Sequence, residues 1–507
     1  MEPVIIRALR ESLRESQTDF ACRFGVSQIA VAHWESGRSK PNAERQHALF
    51  ELQLKEVACE KSNGFVPFRP IQYLGSKLRL AKSIAKVIDE LAPSADSRVA
   101  DLFAGSGVIS HTLANSRPVT SVDVQAYSAT LTRGLLLTPA DHFLTLDTER
   151  FRSDATSQST KVAEIFAPLI ELEGQALSLA TAGDLSLLNE IVEYGSLSAY
   201  LQRPFPGYSE RLKKTLSQVA RNVESTPKKL QVELIASRYF GGAYFSYSQA
   251  ACLDGIYIAA KNWGAEYAAA ALAVLLSTAS EIVNTVGKQF AQPIKLRKPD
   301  GSTPKILLDR TIRDRSIDPQ ITFRVMSARW AEAVSSNLPV QHELKCGDVL
   351  DFVERDQSCS VFYADPPYTI DHYSRFYHVL ETLVLRDQPR LDEMSKRGSQ
   401  MVMRGIYRAG RHQSIFSIPS TAAQAFERLF ASLSHRKGPL VLSYSPFEES
   451  AGHRPRLLTL EQLELLAKRY FSSVDVIEIT EHSHRRLNAK ALNVPLKKDG
   501  ERLFVCR

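Results

Sequence analysis

Asp365-Pro366-Pro367-Tyr368 is the stretch of this sequence best suited to chemistry. It follows an apolar, strand-like run from Ser360 to Ala364. Each proline removes a ladder donor, so the pair cannot continue a central strand. The chain must leave the sheet there, which puts Asp365 at a strand's C-terminal end, where open α/β sheets bind ligands. A carboxylate beside a backbone carbonyl can accept both hydrogens of an exocyclic amine. That draws the nitrogen lone pair out of conjugation and aims it at an electrophile, while Tyr368 stacks on the base. The bland alternative is a proline-rich turn with a capping aspartate.

A second constellation lies upstream. Asp101-Leu102-Phe103-Ala104-Gly105-Ser106-Gly107 ends a strand-like run and opens a helix, and its glycines let backbone approach a ligand closely. Asp123 ends the next strand-like run, where an acid can accept hydrogen bonds from both ribose hydroxyls. Without a third glycine this is a weak dinucleotide signal. A tight turn with no ligand is the alternative, and a nucleoside lacking a pyrophosphate fits as well.

The elements that must position these residues follow from patterning. Strand-like runs at 98–103 and 118–124 alternate with helix-like segments, the first from Leu78 to Leu91, and this predicts a parallel α/β sheet. Residues 140–340 read as mostly helical with basic loops. Strand-like runs return at ELKCGDVL, at 360–368 and at 439–445. The first 57 residues read as helical, with apolar residues at helical spacing through Ile6, Leu9, Leu13, Phe20, Phe24, Val26, Ile29 and Val31. Asn63-Gly64 and two prolines mark a linker before residue 71.

A chain of 507 residues is long enough for roughly three domains. With 44% hydrophobic and 23% charged residues it is an ordinary globular chain rather than a disordered or fibrous one. Its six cysteines form no CxxC pair, which argues against a zinc knuckle, and no metal is expected. The longest uncharged apolar stretch, Tyr267 to Ser280, reads as a buried helix rather than a membrane span, and no signal peptide is visible. The expected setting is therefore the cytoplasm. Net charge is +7, and basic residues gather in the middle: 200–230 holds seven Lys/Arg against two Glu, and 291–330 nine against four Asp. Such runs suit nucleic acid or simply a solvated face.

Taken together, these motifs resemble the Dam-like, alpha-group adenine-specific DNA methyltransferases over roughly residues 68–507. Tyr73-Leu74-Gly75-Ser76-Lys77 matches that family's N-terminal element, Asp101 through Gly107 its cofactor loop, and Asp123 its ribose acid. Gly347-Asp348 match the acid near the cofactor adenine, and Asp365, Pro366 and Tyr368 the catalytic element. The resemblance implies a Rossmann-like class I sheet and S-adenosylmethionine as cofactor. Tyr73, Lys77, Asp101, Phe103, Gly105, Gly107, Asp123 and Asp348 would line its pocket. It also implies methyl transfer to N6 of an adenine flipped out of double-stranded DNA, with target recognition in 141–340 between catalytic segments 71–140 and 341–507. Softer matches are Tyr244-Phe245-Ser246 and Gln249 to Asp254, a segment that follows DNA in the family, and the run 372–383. Arg404, Arg408 and Arg411 are phosphate-binding candidates or a solvated basic face. Tyr444 lines the base pocket or belongs to the core.

Residues 9–50 resemble a helix-turn-helix of the Xre/Cro/lambda-repressor type, with Gly25 in the turn, Ser27 capping the recognition helix, Gln17 and Gln28 toward DNA and Arg38 near phosphate. Residues 1–60 carry eight Lys/Arg and nine Asp/Glu, so non-specific phosphate affinity should be low. Packing or dimerisation is the alternative. The enzyme's own promoter and a companion restriction endonuclease are candidate partners. Cytosine N4 and RNA adenine are alternative acceptors, and a DNA-binding regulator with a decayed catalytic domain is the non-enzymatic alternative. None of the six cysteines follows a proline, so cytosine-C5 chemistry is not expected.

Overall fold

The computed structural model describes residues 15–42, 68–203, 207–298, 302–370, 372–396, 399–436, 438–445, 457–479 and 501–507, with residues 6, 10, 45, 48, 49 and 52. Leu9, Leu13 and most of the expected linker lie outside them. A seven-stranded sheet forms the centre. Its strands are β1 (Val99–Asp101), β2 (Val119–Asp123), β3 (Glu343–Cys346), β4 (Val361–Ala364), β7 (Leu440–Tyr444), β8 (Val474–Ile479) and β9 (Glu501–Cys506), in the order β3-β2-β1-β4-β7-β9-β8. A separate antiparallel hairpin pairs β5 (Glu393–Lys396) with β6 (Ser399–Val402). β3, β2, β1, β4 and β7 run parallel, and β9 runs antiparallel to both of its neighbours. This mixed α/β architecture with a mostly parallel sheet is consistent with a class I methyltransferase fold.

Strand residues alternate between two cores, as a period of two requires. Val99, Val119, Val361, Tyr363 and Val441 face one core. Ala100, Val122, Phe362, Ala364, Leu440 and Leu442 face the other. Both faces of β1, β4 and β7 are covered, whereas the edge strands β3 and β8 are largely exposed.

At the N-terminus α1 (Gln17–Arg23) and α2 (Gln28–Ser36) are each capped by a serine, and Gly25 takes the positive φ of the turn between them. Ile6, Phe20, Ala21, Val31, Trp34 and Leu49 form their own small core. Over the first face of the sheet lie α3 (Ala81–Leu91), α4 (Val108–Ala114) and α5 (Ala126–Leu137). In α3 the apolar spacing Ala81, Ile84, Ile88 gives one buried stripe.

The helical insert packs partly into this core and partly around a core of its own, with Phe166, Leu188 and Leu216 buried in it. The 33-residue helix α6 (Glu149–Thr181) packs along α7 (Tyr247–Trp263). Behind them α8 (Ala265–Ile282) and α9 (Pro319–Val334) pack on α5. Trp330 of α9 stacks on Phe143, meets Phe68 edge-on and donates to Ser277 Oγ at 2.9 Å. Among the described residues α8 is long and apolar enough to cross a membrane by length and composition, and much of it is buried in this core. The far face of the sheet is covered by α10 (Val349–Arg355) and α12 (Ala422–His435), while α11 (His378–Leu385) joins the first core.

Candidate active site

The strand order reverses beside β1 and β4, and their C-terminal ends open a crevice there. Asp101 ends β1 and pairs in register with Tyr363, and Asp365 follows the end of β4. One cavity of about 140 Å3 is lined by Tyr73, Lys77, Asp101, Phe103, Gly105, Asp123, Asp348, Asp365, Pro366 and Tyr368, among others. Residues from six separate segments of the chain therefore meet in one cleft.

Gly105 and Gly107 explain the tight approach. Both have positive φ, 53° and 78°. A Cβ on Gly105 would sit 2.7 Å from the Tyr73 hydroxyl, and one on Gly107 2.7 Å from Leu135 Cδ1. Tyr73 is itself fixed, stacked on Tyr377 at 4.9 Å between centroids. The Leu74 N–H donates to the Tyr377 hydroxyl at 2.7 Å. Gly107 lies behind the loop, against α5, and is absent from the cavity wall.

The acids differ in what holds them. Asp123 Oδ2 accepts the Gly105 N–H and Oδ1 the Gln125 N–H, both at 2.8 Å, so this acid clamps the glycine turn. Burial pushes its pKa up against those hydrogen bonds. Asp101 Oδ2 accepts the Ser110 N–H and hydroxyl, while its buried Oδ1 has no hydrogen-bond partner among the described residues. Burial outweighs the Ser110 bonds and raises the Asp101 pKa to about 7. Asp348 is the N-cap of α10, accepting from Leu350 and Asp351. Next to it, the Gly347 N–H donates to the Asp123 carbonyl at 2.9 Å, which ties the β3 end to the β2 end.

Lys77 Nζ lies 2.7 Å from Asp365 Oδ2 and 3.4 Å from Glu501 Oε1. Burial would depress the Lys77 pKa, but the Asp365 and Glu501 carboxylates outweigh it and hold it well above the ordinary lysine value. Sequence reasoning missed Glu501, which carries no motif and reaches Lys77 only through the pairing of β9 with β7. Tyr368 packs on Tyr444 at 4.8 Å. Tyr444 is a core residue: it is fully buried and donates to the Leu458 carbonyl at 2.7 Å. His412, Tyr373 and Phe416 also line the cavity, the last packed edge-on against Phe103.

The three arginines are held by their own chain. Arg404 donates to the Ile294 carbonyl at 2.9 Å, Arg408 pairs with Asp387, and Arg411 pairs with Asp392 while lying over the Tyr407 ring. Tyr244, Gln249 and Asp254 are buried; Asp254 accepts the Ala236 and Ser237 N–H groups. In the N-terminal unit Ser27 caps α2 by accepting the Ala30 N–H. Gln17 donates to Glu35 at 2.8 Å and accepts from Gln28 at 3.3 Å, and Arg38 is exposed just past the helix end. Among the described residues no group of three His, Cys, Asp or Glu could hold a metal ion.

Two comparisons bear on this cleft. A relative named modification methylase LlaI, from Lactococcus lactis subsp. lactis, is 31% identical over 150 residues, which is 29% of this chain and 20% of that protein. The chain thus spans about a fifth of the length of the curated relative it matches. Residues 73–233 match the model of the D12 class N6 adenine-specific DNA methyltransferase family. That segment carries Tyr73, Lys77, the glycine turn and Asp123, and it stops short of Asp348 and Asp365. The cofactor-type half of the cleft is therefore similar to this family, and the fold joins to it an acid-proline-proline-tyrosine loop lying beyond the match.

Proposed function

We propose that the protein is a site-specific DNA methyltransferase that transfers a methyl group from S-adenosylmethionine to N6 of an adenine flipped out of duplex DNA. The observation that carries this is the convergence of Asp365 and Tyr368 with Tyr73, Asp101, Gly105 and Asp123 around one cavity. The residues fit the cofactor. Asp101 Oδ1 is a buried acceptor without a hydrogen-bond partner among the described residues, suited to the ammonium of the methionine part. Each Asp123 oxygen keeps a lone pair for a ribose hydroxyl, and Asp348 stands at the adenine end. When bound, the cofactor supplies an activated methyl on a sulfonium.

Asp365 and the adjacent backbone carbonyl accept the two amine hydrogens and turn the nitrogen lone pair toward the methyl. Asp101, Asp123 and Asp348 would hold the cofactor as it gives up its methyl to that nitrogen and leaves as the neutral thioether. The proton that the methylated amine sheds passes to the Asp365 carboxylate and on to solvent. Positioning is the main contribution of the protein. Flipping costs a few kcal/mol, offset by stacking on Tyr368 and by pocket hydrogen bonds. The α1–α2 unit is proposed as a second DNA-binding module, acting on the gene's own promoter or near the target.

The test is expression in a methylation-free host followed by sequencing that detects modified bases. N6-methyladenine in one short sequence supports the proposal, modified cytosine moves the acceptor to N4, and an unmodified genome overturns it. Asp365→Ala should abolish transfer, by about 100-fold or more, while calorimetric cofactor affinity stays within about threefold of the parent. Turnover surviving that change would remove Asp365 from its role.

A further inference from the structure

We propose that Glu501 is a positioning residue that holds Lys77 against Asp365. This rests on the methyl-transfer reading of the cleft. Glu501 opens β9 and is 1% exposed. Its Oε1 accepts the Ser443 hydroxyl at 2.7 Å and lies 3.4 Å from Lys77 Nζ. Lys77 is 5% exposed and reaches Asp365 on its other side. One ammonium thus stands between two carboxylates. The Tyr363 hydroxyl, buried on β4, has no hydrogen-bond partner among the described residues and lies in the field of Asp365, Lys77, Asp101 and Glu501.

The geometry separates two jobs. A buried charge must be paired, and a lone lysine beside Asp365 would bind that carboxylate tightly and lower its ability to take a hydrogen from the substrate amine. Glu501 divides the field of the ammonium. It leaves the three groups with a net negative charge on the side where the amine proton is to be received. It also anchors Lys77 to the antiparallel end of the sheet through Ser443, so the lysine keeps its place when Asp365 turns to the substrate. Glu501 touches neither substrate nor cofactor on this account; it acts through Lys77.

Two readouts test this on the full chain. Glu501→Gln keeps the shape and removes the charge. Its kcat should fall about 10-fold or more, with KM for cofactor and DNA within about threefold, and the acidic limb of the rate–pH profile should move down by about one pH unit. A kcat within twofold of the parent and an unmoved limb would overturn the proposal. Melting at pH 8, without cofactor or DNA, supplies the second. Lys77→Met strands the buried Glu501 carboxylate and the partly buried Asp365 carboxylate and should lower Tm; adding Glu501→Gln to it should restore part of the loss. A double variant that melts below Lys77→Met would show that Glu501 does not share this ammonium. If the parent transfers no methyl group to DNA, the functional reading fails, and the melting comparison still decides whether Glu501 holds Lys77.

Discussion

Asp101 shows how one side chain sets stability against function. Its buried Oδ1 has no hydrogen-bond partner among the described residues, and burial lifts its pKa to about 7. A carboxyl raised above its unfolded value stabilises the fold below about pH 4, and that contribution is lost as pH rises through the folded value near 7. Asp101→Asn cannot ionise, and its carbonyl can still accept from Ser110. Its Tm should match the parent at the acidic end and exceed it progressively between pH 4 and 7, with a plateau above. If Oδ1 receives the cofactor ammonium, the same variant should bind S-adenosylmethionine about 10-fold or more weakly. A fluorescence melt across that range with a calorimetric titration checks both; parallel melting profiles would show that Asp101 does not titrate there.

At the scale of elements, the glycine turn does two things that substitution can separate. Gly107 faces α5, so Gly107→Ala meets Leu135 and Thr132 and adds strain at positive φ. It should lose about 2–4 kcal/mol of stability by denaturant unfolding, with cofactor affinity falling mainly through unfolding. Gly105→Ala pushes on the Tyr73 ring, the cofactor side of the turn, and should weaken cofactor binding more than it weakens the fold. Equal effects of the two changes would contradict the division. The turn, the five parallel strands and the Asp365 loop were legible in the sequence because each is a local signal, whereas β5, β6, β8 and β9 were not read. Glu501 was not legible, because strand pairing alone brings it to Lys77. Arg404, Arg408 and Arg411 stood out as cations, yet their partners, the Ile294 carbonyl, Asp387 and Asp392, are set by loop packing that no spacing reveals. The bounds of the helical insert came from the order of the motifs, which does not reveal that Trp330 and α8 extend the sheet's own core.

For the whole molecule, the cores say which parts can fail independently. The sheet, α3 to α5, α8 and α9 share apolar packing around β1 and β4, while the insert residues around Phe166, Leu188 and Leu216 form a further core of their own. The N-terminal unit has a core of its own, built around Trp34, which meets Phe24 edge-on at 6.4 Å. Trp34 is 5% exposed, and Trp34→Ala removes the largest side chain of that small cluster, at a cost of about 3–5 kcal/mol. A core of this size has little stability to spare. The variant should therefore unfold the N-terminal unit while the main melting transition stays within about 2 °C. If α1 and α2 bind DNA independently of the cleft, two measurements then part company. Methyl transfer at saturating DNA should stay within about threefold of the parent, and gel-shift affinity for the promoter fragment should fall about 10-fold or more. Loss of transfer in step with loss of binding would mean that the N-terminal unit presents the target to the cleft, as a part of the enzyme rather than a separate regulator.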